Sequence, residues 1–138
     1  MGSVLFLCTG NSCRSQMAEA WGRHFFPDGW NVSSAGIEKH SLNPLVLTVM
    51  AEVGMDMSSH FSKTIDELPS GIPWDLVVTV CDRAAAACPY YPAKKRIHLP
   101  FDDPPALAIG LQGEEALNVY RRVRDEIRAE IEKLAKRL

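Results

Sequence analysis

The sequence predicts an α/β fold: a parallel sheet with helices on both faces. Three observations carry this. Short apolar runs of strand type alternate along the chain with segments whose apolar residues recur every three to four positions. The residues with obvious chemistry (Cys8, Cys81, and the neighbours Asp102 and Asp103) each fall just after a predicted strand, where open parallel sheets place their ligands. The third is scale. A chain of 138 residues, 46% hydrophobic and 23% charged, makes a single domain over 1–138 that buries its own core without a metal or disulfide staple.

Taken in order, Ser3–Cys8 is a short apolar run that ends in a glycine-bearing turn, so it reads as a buried strand. Ser15 follows as a cap or first-turn residue, before Met17, Ala20, Trp21, His24 and Phe25 at helical spacing. Residues 31–35 form a second short strand. Asn43 and Pro44 open a helix with Leu45, Val49 and Val53 on one face and Gly54 at its end. Residues 76–80 are a fully buried strand leading to Cys81, and residues 96–99 are a weaker fourth strand. The alanines at 84–87 favour helix but are too few to hold one alone. Finally, Leu117, Tyr120, Val123, Ile127, Ile131, Leu134 and Leu138 step by three and four. This is a long amphipathic helix, with Arg and Lys enriched toward its end to match the dipole.

Composition excludes several classes. A net charge of -2 lacks the basic excess of a nucleic-acid binder. No apolar run is long enough to span a membrane. The start has neither the basic region of a signal peptide nor a myristoylation pattern, so a cytoplasmic protein is expected, and a monomer is assumed without a sequence feature that decides it. In that compartment four cysteines are free thiols, redox groups or ligands rather than structural bridges. Zinc is set aside, because Cys8 with Cys13 and Cys81 with Cys88 are spaced too widely and no His stands at ligand distance. His24, His40, His60 and His98 are scattered and receive no role; Trp21, Trp30 and Trp74 are assigned to the core.

The chemistry concentrates in Cys8, Thr9, Gly10, Asn11, Ser12, Cys13, Arg14 and Ser15, which put an arginine six residues after a cysteine between a strand and a helix. Such a loop curls so that successive backbone N–H groups form an anion nest. Gly10 is expected to take the unusual backbone angles this needs. The helix adds its positive end, and Arg14 clamps two oxygens of a tetrahedral oxyanion. The same field lowers the pKa of Cys8 and makes it a thiolate nucleophile at neutral pH, with the Ser15 hydroxyl placed to donate to it. Cys13 contributes backbone to the nest, and its thiol is read as packed and inert.

The segment at 9–19, TGNSCRSQMAE, resembles the signature of low-molecular-weight tyrosine phosphatases and of the thioredoxin-linked arsenate reductases that share their fold, the reductases above all. Residues 32–38, 76–81, 101–104 and 119–127 extend the resemblance over nearly the whole chain. It implies a three-layer domain around a four-stranded parallel sheet. It also implies arsenate as substrate, with phosphate and sulfate as analogues, thioredoxin as external reductant, and no bound cofactor.

On residues alone, Asp102 and Asp103 are as compatible with a solvated turn as with an acid, and Cys81 and Cys88 with buried small hydrophobes. The resemblance assigns Asp103, immediately before Pro104, as the general acid. It assigns Cys81 and Cys88 to a disulfide relay with Cys8. A phosphatase would leave these two thiols idle, whereas reduction of arsenate needs two electrons, which a thiol pair supplies. The resemblance also implies a potassium site in some relatives. Asn11, Glu19 and Ser34 stand at its positions, but Lys63 falls where an acidic ligand is expected, with a register slip to Asp66 as the alternative. On that count potassium is not expected. Two other readings stand beside the reductase: a tyrosine phosphatase using Cys8, Arg14 and Asp103, and a non-catalytic oxyanion-binding module. The first needs neither Cys81 nor Cys88, and the second needs no acid and no thiolate.

Overall fold

A computed structural model describes residues 2–81 and 91–138. Cys88, the alanines before it and Tyr90 lie outside the described residues. The elements run β1 (Ser3–Cys8), α1 (Arg14–Phe25), β2 (Asn31–Gly36), α2 (Pro44–Glu52), a 3-10 turn (Ile65–Glu67), β3 (Leu76–Thr79), β4 (Lys95–His98), α3 (Pro104–Leu107) and α4 (Gly113–Ala135). The strands form one parallel sheet in the order β2-β1-β3-β4. The chain winds outward from β1 to β2, then returns across β1 to β3. The carboxyl ends of β1 and β3 therefore flank the switch point, where such sheets open a crevice.

The four residues Val4, Leu5, Phe6 and Leu7 are all inaccessible, as a central strand covered on both faces requires. Their side chains alternate between two cores. Val4 and Phe6 join Val32 and Val78 beneath α1 (Met17, Ala18, Trp21), α2 (Val46, Val49, Met50) and α4 (Val123, Ile127, Ile131). Leu5 and Leu7 join Ala35, Trp74 and Val77 on the other face, under Ile65 and Leu68 of the 3-10 region together with Ile72, Tyr91 and Ala93. β4 is one of the sheet's two edges, and its exposed Lys95 and Arg96 discourage further strand pairing. Among the described residues, no helix is long and apolar enough to cross a membrane.

The element boundaries follow the sequence reading closely, with two corrections. α2 does start at Asn43 and Pro44, where the Asn43 side chain accepts from Leu45 N at 2.9 Å, and Gly54 does end it with φ +79°. Its buried stripe, however, is Val46, Val49 and Met50, while Val53 is 41% exposed. Both stripes have helical spacing, and only the position of α4 decides which one faces inward. The single turn α3 follows the loop at 101–103, and α4 ends at Ala135, which leaves Leu138, read as the last residue of the helix's apolar stripe, exposed.

Candidate active site

Each of the five residues between β1 and α1 has its backbone carbonyl held by a donor outside the loop's centre. Thr9 O accepts from Ile37 N and Glu38 N at 2.9 and 3.0 Å. Gly10 O accepts from Ser62 Oγ at 3.1 Å, and Asn11 O from Gln16 Nε2 at 3.2 Å. Ser12 O accepts from Asn43 N at 3.1 Å, and Cys13 O from Met17 N at 3.0 Å. No peptide in the described chain is cis. In a trans peptide the carbonyl and the following N–H point opposite ways. Fixing all five carbonyls outward therefore turns the N–H groups of residues 10–14 toward a common centre, and that is an anion nest. At the end of the loop α1 begins with Cys13 as N-cap and no side-chain cap, so its positive end faces the same centre.

The conformational burden falls on a different residue from the one expected. The positive φ in the loop is at Asn11, +50°, not at Gly10. Asparagine tolerates this region better than most residues, and here its side chain is fully tied. Asn11 Nδ2 donates to Ser15 Oγ at 2.8 Å and Ser34 Oγ at 3.0 Å, while Oδ1 accepts from Lys63 N and Gln16 Nε2, each at 2.9 Å. At Gly10 a Cβ would meet the ring of His40, an exposed side chain that can swing aside. Gly36, at the end of β2, is needed for space, since a Cβ would stand 2.6 Å from the backbone oxygen of Thr9.

Cys8 ends β1 and is 4% exposed. Its pKa is lowered from 9.0 to about 6: the Cys81 thiol hydrogen-bonds to it, the Arg14 charge and the N–H groups of Gly10 and Thr9 add to that, and burial opposes. Cys81 is completely buried just past β3, where Val80 N still bonds Leu7 O at 2.9 Å and so keeps the two strand ends in register. Two thiols 73 positions apart in sequence thus come together at the switch point, where Cys81 acts on the Cys8 sulfur. Cys13, equally buried, behaves in the opposite way. Burial pushes its thiol strongly up, and the charges of Asp103 and Cys8 push in the same direction.

Arg14 is 6% exposed and ties the acid loop to the nest, donating from Nη1 to Phe101 O at 3.1 Å, with Nη2 3.7 Å from Asp103 Oδ1. The two aspartates part here. Asp103 faces Arg14 from the N-terminus of α3, while Asp102 turns outward to Arg122 Nη2 at 3.2 Å. Ser15 is inaccessible, and its oxygen accepts from Asn11.

Behind the nest, Glu19 accepts from Ser34 Oγ at 2.6 Å and from Arg23 Nε at 3.0 Å, and Lys63 Nζ stands 3.6 Å from its other oxygen contact, Oε1. The carboxylate that would hold a monovalent cation is therefore already met by two side-chain cations. These residues do not fit a potassium ion as an additional charge. Asp66, in the 3-10 turn, is exposed. The sequence reading missed Gln16, Ser62 and His60. Gln16 spends its Nε2 on Asn11 and Phe61 O, so its Oε1 faces His60 Nδ1 at 2.9 Å, which places the imidazole proton on Nδ1. Burial lowers the pKa of His60, while the Glu19 carboxylate 3.7 Å away acts in the opposite direction. Nothing in local pattern marks these three, because each is polar at a position that only the tertiary contacts bury.

Residues 3–138 match the family described as low molecular weight phosphotyrosine protein phosphatase. An arsenate reductase of Halalkalibacterium halodurans is 53% identical over 134 residues, covering 96% of this chain and 94% of that protein. A solved arsenate reductase in the phosphate-binding state superposes with TM-score 0.81 at 29% identity, covering 99% of this chain and 98% of that one. A thioredoxin-dependent arsenate reductase of Corynebacterium glutamicum gives TM-score 0.72 at 27% identity, covering 99% of this chain and 61% of the other.

Proposed function

This chain belongs to the low molecular weight phosphotyrosine protein phosphatase family, and we propose that within it the protein reduces arsenate to arsenite. The placement of the buried Cys81 thiol beside Cys8, at the ends of two paired strands, carries the proposal. A hydrolase needs one thiolate in this loop. A second buried thiol beside it, at the end of the neighbouring strand, supplies the further electron pair chemistry that a reductase needs and a hydrolase does not.

The nest, the α1 terminus and Arg14 hold the oxyanion. The Cys8 thiolate attacks arsenic and forms an S–As bond, while Asp103 protonates the departing oxygen, which leaves as water. Ser15, its oxygen held by Asn11, donates its proton toward the thiolate. Cys81, as thiolate, then attacks Cys8 Sγ. The S–S bond forms as the S–As bond breaks, and the bonding pair stays on arsenic, which leaves as arsenite. Cys88 attacks Cys81 Sγ, Cys8 departs as thiolate, and an external dithiol of thioredoxin type reduces the resulting Cys81–Cys88 disulfide. The thioredoxin-dependent relative supports that last assignment. Lys63 takes the place of a bound cation behind the loop. Weak aryl-phosphate hydrolysis accompanies the reductase, because phosphate has arsenate's shape and charge and hydrolysis uses only Cys8, Arg14 and Asp103.

The test sets NADPH oxidation with arsenate, thioredoxin and thioredoxin reductase beside hydrolysis of an aryl phosphate by the same preparation. Sustained arsenate-dependent NADPH oxidation is expected. Hydrolysis with none would assign the protein to the phosphatase reading, and neither activity would favour an oxyanion-binding module.

A further inference from the structure

We propose that Ser62 is a positioning residue for the nest: its hydroxyl holds the peptide between Gly10 and Asn11 in the orientation that aims the Asn11 N–H at the bound oxyanion. The inference rests on the loop binding a tetrahedral oxyanion, whichever reaction follows.

Ser62 lies 52 positions from Gly10 and is 7% exposed. Its Oγ accepts from His40 N at 3.2 Å and donates to Gly10 O at 3.1 Å, so its single proton is committed to that carbonyl. The next residue fixes the same stretch again, with Lys63 N donating to Asn11 Oδ1 at 2.9 Å and Lys63 O accepting from Gly36 N at 2.9 Å. Three of the other loop carbonyls are held by backbone N–H groups, and the fourth by Gln16, whose amide also grips the Asn11 side chain. Only the Gly10 carbonyl depends on one removable hydroxyl.

That peptide is also the one with a reason to turn. A flip changes ψ of residue 10 and φ of residue 11. Glycine accepts either setting, and a flip would relieve Asn11 of its φ of +50°. The flipped peptide would point a carbonyl oxygen at the Cys8 thiolate and at the anion. Without the Ser62 donor, local preference and nest geometry therefore oppose each other.

The experiment compares the unaltered protein with Ser62→Ala and Ser62→Thr. It measures inorganic phosphate affinity by calorimetry, the pH profile of Cys8 alkylation, and thermal stability. Ser62→Ala should weaken phosphate about tenfold, the scale of one hydrogen bond to a charged group, and move the Cys8 alkylation midpoint to higher pH. Ser62→Thr, which keeps the hydroxyl, should restore both. A fall in thermal stability with phosphate affinity and alkylation midpoint unchanged would show a merely structural serine and overturn the proposal. Should Ser62→Ala not fold, Ser62→Cys, with a weak donor of similar size, reads the same two quantities. If the unaltered protein binds no phosphate at all, the oxyanion reading itself falls, whatever Ser62 does.

Discussion

Cys8 and Cys13 stand at the two ends of one loop, each 4% exposed, yet Cys8 ionises near pH 6 while Cys13 is held as a thiol. Burial opposes ionisation at both. The difference lies in what points at each sulfur. Cys8 receives the Cys81 thiol, two backbone N–H groups and the Arg14 charge. Cys13 has Arg14 in its favour, but Asp103 and the Cys8 thiolate act against it. A nest built to hold one anion thus activates one thiol and leaves its neighbour inert.

The sharpest way to break this comparison is to exchange its members. Cys8→Ser should lose both arsenate reduction and aryl-phosphate hydrolysis by more than about a thousandfold, because a hydroxyl in this site is not ionised. Cys13→Ser should lower hydrolysis by no more than about threefold. Comparable losses in steady-state assays of the two variants would remove the distinction.

Cys81 tests the contact that sets Cys8 apart. Cys81→Ala should abolish sustained reduction while hydrolysis persists with its acid limb moved to higher pH, since the largest cause lowering the Cys8 pKa is gone. Loss of hydrolysis at every pH would make Cys81 a support of the fold instead. Cys88→Ser should allow about one turnover and stall at a Cys8–Cys81 disulfide, read by peptide mass mapping. The alanines at 84–87 favour helix in the sequence, and a helical path between 81 and 88 would hold the two Cα atoms roughly 10.5 Å apart, whereas a disulfide needs about 4.4–6.8 Å. That expectation falls outside the described residues and is tested by hydrogen exchange across 82–88 before and after oxidation.

The pH dependence has a definite sign. The folded-state pKa of Cys8 lies below its unfolded value, so its ionisation adds stability that is complete above about pH 9 and lost as pH falls to about 6. The melting temperature of the protein relative to Cys8→Ala should drop over that interval, whereas the difference between the protein and Cys13→Ala should not rise with pH there. A flat Cys8 difference would mean that the thiolate is not favoured by the fold.

The smallest effect concerns the ground behind the loop. With Lys63 3.6 Å from Glu19, exchanging sodium for potassium should leave melting temperature and turnover unchanged within the general salt effect. Lys63→Met should make the protein sensitive to the cation supplied. Specific potassium stabilisation of the unaltered protein would place an ion where Lys63 is assigned and return attention to Asp66.

The sequence by itself determined the alternation of strands and helices, the cap at Asn43, the strand ending at Cys8 and the strand-to-helix loop ending in Arg14. These are set by neighbours within a few positions, through period, capping and turn chemistry. Resemblance, rather than pattern, separated Asp103 from Asp102 and gave Cys81 and Cys88 a task. Tertiary structure then decided what depends on groups far apart in sequence. It brought Cys81 onto Cys8 because β3 lies beside β1. It turned Asp103 toward Arg14 and Asp102 away. It placed the strained angle on Asn11 rather than Gly10, and the buried stripe of α2 on Val46 and Met50 rather than Val53. Ser62, Gln16 and His60 were invisible for the same reason: a buried carbonyl must find a donor, and which residue supplies it is fixed only when distant segments of the chain have packed together.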